Sequence, residues 1–189
     1  RGTSLPDRDL AWIPQDDSLA GEYLDAMGFA LRFARANRNG MCERVRDIFE
    51  RRFTCGFDEP LDIHHNYAAE ERHFGRDVIV HRKGATAAFQ GQPGIIPGSQ
   101  GTPSYITRGR GIPESFMSCS HGAGRVMGRK AAIRSLDLDT VSRRLDGQGI
   151  IHSISRNRDL DEAPDAYKDI DSVMAAQEDL TGIVTKLQP

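Results

Sequence analysis

Near Pro60 the chain changes its hydrophobic rhythm, and no single regular architecture accommodates both sides of that change. Upstream, Leu19, Tyr23, Met27, Ala30, Leu31 and Ala34 recur at helical spacing, which predicts a long amphipathic helix after a Gly-, Pro- and Asp-rich lead-in over residues 1–17. The Asn37-Arg38-Asn39-Gly40 run predicts a pause, with Met41, Val45, Ile48, Phe49 and Phe53 marking a second helical face. This half reads as scaffold. Downstream, short apolar runs at 77–80, 94–97, 104–107 and 114–118 alternate with Gly- and Pro-rich turns, the pattern of short strands. A helix is expected over Asp139–Leu145, then a strand over 150–154, an acidic loop, and a helix over Ile170–Leu180. The fold class is therefore α+β, with a mixed sheet and flanking helices around a cleft. There is no internal repeat and no low-complexity segment.

Charge narrows the function classes. Lys and Arg number 25 against 27 Asp and Glu, a net charge of -2, so no global field draws in polyanions. Any basic surface is local: Arg108 to Arg144 holds eight basic residues against three acidic ones, a balance of +5. Cys42, Cys55 and Cys119 form no CxxC pair and are odd in number, which argues against a disulfide framework or a zinc knuckle and for a reducing, cytoplasmic setting. No run of about 18 apolar residues suggests a membrane span. The sequence opens at Arg1 rather than Met, and is expected to be part of a longer chain.

Several separated stretches carry residues suited to phosphate chemistry. In His64-His65-Asn66, an extended backbone lets only one imidazole face a given site, with Asn66 next in line to orient a ligand. The pair reads either as backbone-satisfied histidines at a strand end or as a source of one metal ligand. Arg82 and Lys83 leave an apolar run into Gly84, which suits either an anion or plain solvation. Residues 95–105 crowd Gly98, Gly101, Ser99, Ser104 and Thr102 into a tight loop that offers N–H groups and hydroxyls to an anion, without the Gly-Lys-Ser/Thr of a Walker loop. In Ser-Cys-Ser-His-Gly-Ala-Gly-Arg (118–125), Gly122 and Gly124 leave room beside His121, and Arg125, Arg129 and Lys130 follow. Such a histidine serves as general base, metal ligand or nucleophile toward phosphorus. Cys119 competes as nucleophile, yet nothing nearby lowers its pKa. Tyr167 sits in a Pro-bounded loop, where it either stacks on a nucleobase or caps the core.

Taken in order, His-His-Asn-Tyr, His-Arg-Lys-Gly-Ala, Gly-Ile-Ile-Pro-Gly-Ser-Gln-Gly-Thr-Pro-Ser-Tyr, Ser-Cys-Ser-His-Gly-Ala-Gly-Arg and Glu-Ala-Pro-Asp-Ala-Tyr-Lys-Asp resemble the C-terminal half of the RtcB-type RNA-splicing ligases. The resemblance implies an RtcB-like fold around a nucleotide and metal cleft. Residues 1–189 would form the C-terminal portion of one catalytic domain, with helical scaffold over 1–58 and the nucleotide and nucleophile region over 59–189. It further implies a GTP- and Mn2+-dependent ligase that joins RNA 3′-phosphate or 2′,3′-cyclic phosphate ends to 5′-hydroxyl ends, in tRNA splicing or RNA repair.

Carried over residue by residue, His121 would become the guanylylated histidine, bearing GMP as a covalent adduct. His65 would be a manganese ligand and Asn66 a nucleotide contact. Pro97, Gly98, Ser99, Gln100, Ser104, Gly122, Ala123 and Gly124 would hold GMP, with Tyr167 against guanine, while Lys83 and Arg129 would position phosphates. The family's other metal ligands lie upstream, so the partners expected are RNA, GTP and a remaining N-terminal part, and no membrane. The competing readings are a metal-dependent phosphoesterase, which needs no GTP, and a non-catalytic RNA-binding remnant.

Overall fold

The computed structural model describes Leu5, Asp7, Asp9 and residues 11–189. The lead-in expected over 1–17 lies partly outside the described residues. Two compact units divide at Asp62 and Ile63.

The first unit is built on one helix, α1 (Ser18–Arg52), of 35 residues. Asp17 caps it by accepting the Leu19 N–H at 3.1 Å, and Arg51 and Arg52 in the last turn complement the helix dipole. The pause expected at residues 37–40 is absent, since α1 runs through it. Asn and Gly cost a helix interior only about 1 kcal/mol each, and no proline removes a hydrogen bond. Arg38, inside the supposed break, instead forms a forked pair with Asp62 at 2.5 and 3.1 Å. The segment after α1 lies back along it, with Phe57 edge-on to Phe49 (centroids 6.2 Å apart) and under the Arg46 guanidinium at 5.6 Å. Along α1 only Ala20 is buried, and Phe29 and Phe33 are 66% and 68% exposed.

The second unit holds every described strand. β1 (Asn66–His73) and β2 (Arg76–Lys83) form a hairpin in which Asn66 faces Lys83 at the open end. β3 (Ala85–Ala87) pairs with β6 (Ser118–Ser120), and the order β4 (Pro93–Ile96), β5 (Ser104–Gly109), β7 (Thr181–Leu187) makes a three-stranded sheet. These three small sheets are antiparallel throughout, where one mixed sheet was expected. For β1–β2 and β4–β5 the connections are too short for a parallel pair, which needs a crossover of about a dozen residues or more; β3–β6 and β5–β7 are antiparallel across much longer stretches of chain.

The helices are α2 (Arg129–Ser135), α3 (Leu138–Gly147) and α4 (Ile170–Ala175). α4 stops five residues before the predicted Leu180, and turns lead from there into β7. The strand expected over 114–118 is a 3-10 turn (Pro113–Ser115) followed by left-handed Phe116 and Met117, so β6 starts only at Ser118. The strand expected over 150–154 has no ladder partner: Ile154 is buried there, but in a helix-flanked cluster rather than in a sheet.

Two apolar clusters hold this unit together. Ile96, Tyr105, Cys119, Ala123, Ile170 and Met174 join the β4–β5 face to β6 and α4. Val141 and Leu145, one helical face of α3, pack with Ile154, Leu160 and Ala163. The first cluster includes Cys119 and Ala123, on either side of His121, so packing sets the height of that turn.

Candidate active site

Strand alternation creates the site. Adjacent β2 residues point to opposite faces, and Arg82 turns inward while Lys83 turns to the surface. The sequence offered Arg82 as a possible anion ligand, and the structure corrects this. Arg82 is buried, forked onto Glu71, with further hydrogen bonds to Tyr67 (3.1 Å), Ser118 Oγ (2.9 Å) and the Phe116 carbonyl (2.9 Å). Burial alone would raise the Glu71 pKa, but the bonds from Arg82 and His73 outweigh it and hold the carboxyl below its ordinary value.

Lys83 opens instead on a cavity of about 500 Å³ lined by His65, Asn66, His121, Arg125 and Arg129. Three contacts converge there. The Gly84 N–H donates to the His65 carbonyl at 3.0 Å, and Ala85 pairs with Ser120, which delivers His121 beside the hairpin. Gly84 has a φ of +71°, so glycine supplies the left-handed turn, and a Cβ there would rest in ordinary contact, 3.5 Å from the His121 ring. The His65 and His121 rings stack with centroids 4.8 Å apart and planes 9° from parallel. Burial first, and the neighbouring His65 second, push the His121 pKa below its ordinary 6.5. A neutral ring with an available lone pair follows near pH 7, the state a nucleophile or metal ligand requires. Cys119, one of the competing nucleophiles, is buried with its thiol pKa raised by desolvation, against weaker opposing effects of Thr86 and Arg82.

The turn that holds His121 is tied on both sides. The Ser120 N–H donates to the buried Gln177 Oε1 at 2.9 Å, and Ala123 N–H donates to the Pro97 carbonyl at 3.1 Å. The Pro97-Gly98-Ser99-Gln100 turn therefore abuts Gly122 to Gly124. Its polar groups are partly committed: Thr102 Oγ1 accepts from the Ser99 N–H at 2.6 Å, and Gln100 Oε1 accepts from Ser153 N–H at 3.3 Å. Ser99, Gln100 and Ser104 line a second cavity of about 230 Å³, walled also by Ile150 and Leu187. Of the expected nucleotide residues, Asn66 lines the first cavity and Ser99, Gln100 and Ser104 the second, whereas Pro97, Gly98, Gly122 to Gly124 and Tyr167 line neither.

Tyr167 instead lies under Arg125. The guanidinium sits 4.8 Å from its ring centroid and donates to its hydroxyl at 2.9 Å, while the hydroxyl donates to Glu162. Burial raises the Tyr167 pKa, and the Glu162 carboxylate adds to the rise. Sequence reading treated Arg125 only as added charge after His121, yet it lines the cavity together with Arg129. The signal was the spacing: basic residues four and eight positions after His121.

A metal would need more than these residues supply. Among the described residues, no group of three or more His, Cys, Asp or Glu side chains comes together to hold an ion. His65 and His121 are two imidazoles without a carboxylate, an incomplete set for a divalent metal of the manganese kind. No helix among the described residues is long and apolar enough to cross a membrane.

The whole chain, residues 1–189, matches the family described as tRNA-splicing ligase RtcB. It is 42% identical to the RNA-splicing ligase RtcB of Escherichia coli K12, over 98% of this chain and 46% of that protein. It is 39% identical to the tRNA-splicing ligase RtcB of Pyrobaculum aerophilum, over 93% of this chain and 42% of the relative. The RNA-splicing ligase RtcB of Mycobacterium tuberculosis is 37% identical over all of this chain and 48% of its own length. The chain spans about half the length of the curated relatives it matches.

Proposed function

This chain belongs to the tRNA-splicing ligase RtcB family, and from that premise we propose that it is the nucleotide-bearing part of an RNA ligase. Its substrates are RNA 3′-phosphate or 2′,3′-cyclic phosphate ends and 5′-hydroxyl ends, and GTP supplies the activating group. The observation that carries the reading is the convergence of a neutral-leaning His121 with Lys83, Arg125 and Arg129 in one cavity. A metal-dependent phosphoesterase has no need of a nucleotide loop abutting its histidine.

In the proposed mechanism a ring nitrogen of His121 attacks the α-phosphorus of GTP. A P–N bond forms as the P–O bond to pyrophosphate breaks. Lys83 and Arg129 stand beside the cavity to balance charge building on the phosphoryl oxygens. An oxygen of the RNA 3′-phosphate then attacks the same phosphorus, the P–N bond breaks, and the ring returns to its starting state. The 5′-hydroxyl finally attacks the activated 3′-phosphate and GMP leaves. Pro97 to Gln100, Ser104 and Gly122 to Gly124 hold the nucleotide in this scheme, with Asn66 a further nucleotide contact, while Tyr167 supports Arg125. His65 contributes one manganese ligand at most, the rest coming from the part of the catalytic domain outside this chain. Three cysteines without a disulfide suit a cytoplasmic setting.

The test is incubation of the full-length protein with α-labelled GTP and manganese, wild type beside His121→Ala. Acid-labile, alkali-stable label on wild type alone is expected. Phosphate release without GTP and without label would replace the ligase reading with the phosphoesterase.

A further inference from the structure

The 3-10 turn at Asn157–Glu162 ends on a carboxylate, Glu162, that the scheme above does not use. Glu162 Oε1 lies 3.5 Å from Arg125 Nη1 and 3.5 Å from Arg129 Nε, and Glu162 Oε2 accepts the Tyr167 hydroxyl proton. One carboxylate therefore meets both arginines of the cavity wall and the tyrosine beneath them.

The two arginines are held very differently. Arg125 donates through Nε to the Met127 carbonyl at 2.9 Å, through Nη1 to Tyr167, and through Nη2 to the Asp161 carbonyl. Backbone bonds frame the same junction: Val126 N–H to the Ala166 carbonyl and Lys168 N–H to the Gly124 carbonyl, both at 2.9 Å. With most of its donors engaged, Arg125 is pinned. Arg129 has a side chain 71% exposed and only long contacts, 3.5 Å to Glu162 and 3.7 Å to Asp161. Those distances lie beyond good hydrogen-bond geometry, and an exposed pair of this kind is weak. A phosphate in the cavity competes for Arg129 with ease, but would have to dismantle several bonds to move Arg125.

We propose that Glu162 is a positioning residue of this site: by accepting from Tyr167 it fixes the hydroxyl to which Arg125 donates, and it tethers Arg129 loosely at the cavity rim, from which a bound phosphate draws it. The inference rests on the ligase reading for what the cavity binds. It does not make Glu162 a ligand contact. Removing the carboxylate takes away a competitor for Arg129, so anion affinity should hold or improve, while loss of the locked Arg125 and Tyr167 geometry slows the transfer step. A residue that touched the nucleotide would show the opposite division.

The experiment uses full-length protein and follows single-turnover labelling by α-labelled GTP for wild type, Glu162→Gln and Glu162→Ala. Glu162→Ala is expected to lower the maximal labelling rate tenfold or more, with half-saturating GTP unchanged or lower. Glu162→Gln should recover most of that rate, since its amide oxygen still accepts from Tyr167 and Arg125. Because the Glu162 side chain is 45% exposed, both variants should melt within a few degrees of wild type. A rise in half-saturating GTP at unchanged maximal rate, or rates equal to wild type in both variants, would overturn the proposal.

A second readout does not depend on labelling. The Tyr167 hydroxyl proton, which Glu162 accepts and whose resonance is assigned with Tyr167→Phe, should be protected from solvent exchange in wild type and lose that protection in Glu162→Ala. Unchanged protection would refute the lock. A wild type that fails to label would count against the ligase reading, and the resonance would still decide the role of Glu162.

Discussion

The two units spend similar kinds of side chain to different ends. In the first, a 35-residue helix carries Phe29, Phe33, Met41, Val45 and Ile48 and is followed by Phe53, all exposed. In the second, shorter elements bury Ile96, Leu145, Leu160 and Ile170 almost completely. The same contrast holds for charge: Arg38 and Asp62 pair with Arg38 partly in solvent, whereas Arg82 and Glu71 pair in the interior. Helical periodicity is a local property that a single element satisfies. Burial needs a second element, and in the second unit the strands and helices supply one another with it.

The ion pairs give the largest expected separation. Arg82→Met leaves Glu71 buried without its partner, and should cost about 3–5 kcal/mol in urea unfolding. Arg38→Met should cost no more than about 1 kcal/mol. Equal costs would mean that the Arg38–Asp62 pair is as enclosed as the other.

Apolar truncation comes next. Leu145→Ala, at a side chain 1% exposed, should cost about 2–5 kcal/mol. Phe33→Ala on α1 should fall within about 0.5 kcal/mol in this chain. A core-sized loss at Phe33 in full-length protein would show that the exposed face of α1 is covered there, and comparison of the two lengths measures that cover directly.

Glycines should respond with opposite signs. A Cβ at Gly98 would stand 2.3 Å from the Pro103 carbonyl oxygen and 2.4 Å from Thr102 Oγ1. Gly98→Ala should cost about 1–3 kcal/mol and raise half-saturating GTP in the labelling assay. At Gly40 nothing lies within 4 Å of the added atom, and Gly40→Ala should stabilise α1 by up to about 1 kcal/mol, read as a higher melting temperature.

The smallest effect is acid sensitivity, and it belongs to the second unit. His121 and Glu71 both have folded pKa values below the ordinary 6.5 and 4.5. Below each ordinary value the unfolded chain takes up a proton that the folded one refuses, so stability falls as pH drops. The His121 contribution should begin to fade near pH 6.5 and that of Glu71 near pH 4.5. His121→Asn should remove the first phase from a plot of melting temperature against pH, and a phase that persists would assign it elsewhere.

Legibility followed the same division. The runs at 77–80 and 104–107 fall inside β2 and β5, the run at 94–97 overlaps β4 up to Ile96, and the helix predicted over 139–145 lies within α3. α2, β3 and β7 went unseen, and β1 was read only as an extended segment at His64 to Asn66. α2 has few apolar residues, and β7, mostly exposed, is recruited by pairing with β5 rather than by a buried face of its own. His65, Asn66, Lys83, His121 and Arg129 were legible as candidates from residue type and glycine context, and one cavity gathers them. Arg82 was misjudged because a sequence does not say which of two adjacent cations faces inward.

By itself the sequence determined the existence of a long helix, the α+β class, the local basic stretch and the family. Each of these is written in spacing or in residue order, which survive unfolding. Only the tertiary structure decided that Lys83 rather than Arg82 reaches the cavity, that Tyr167 lies under Arg125, and that Glu162 and Gln177 reach the surroundings of His121 from far along the chain. Those outcomes depend on strand register and on which groups are deprived of water. Both are set by contacts between residues tens of positions apart, and no local pattern encodes them.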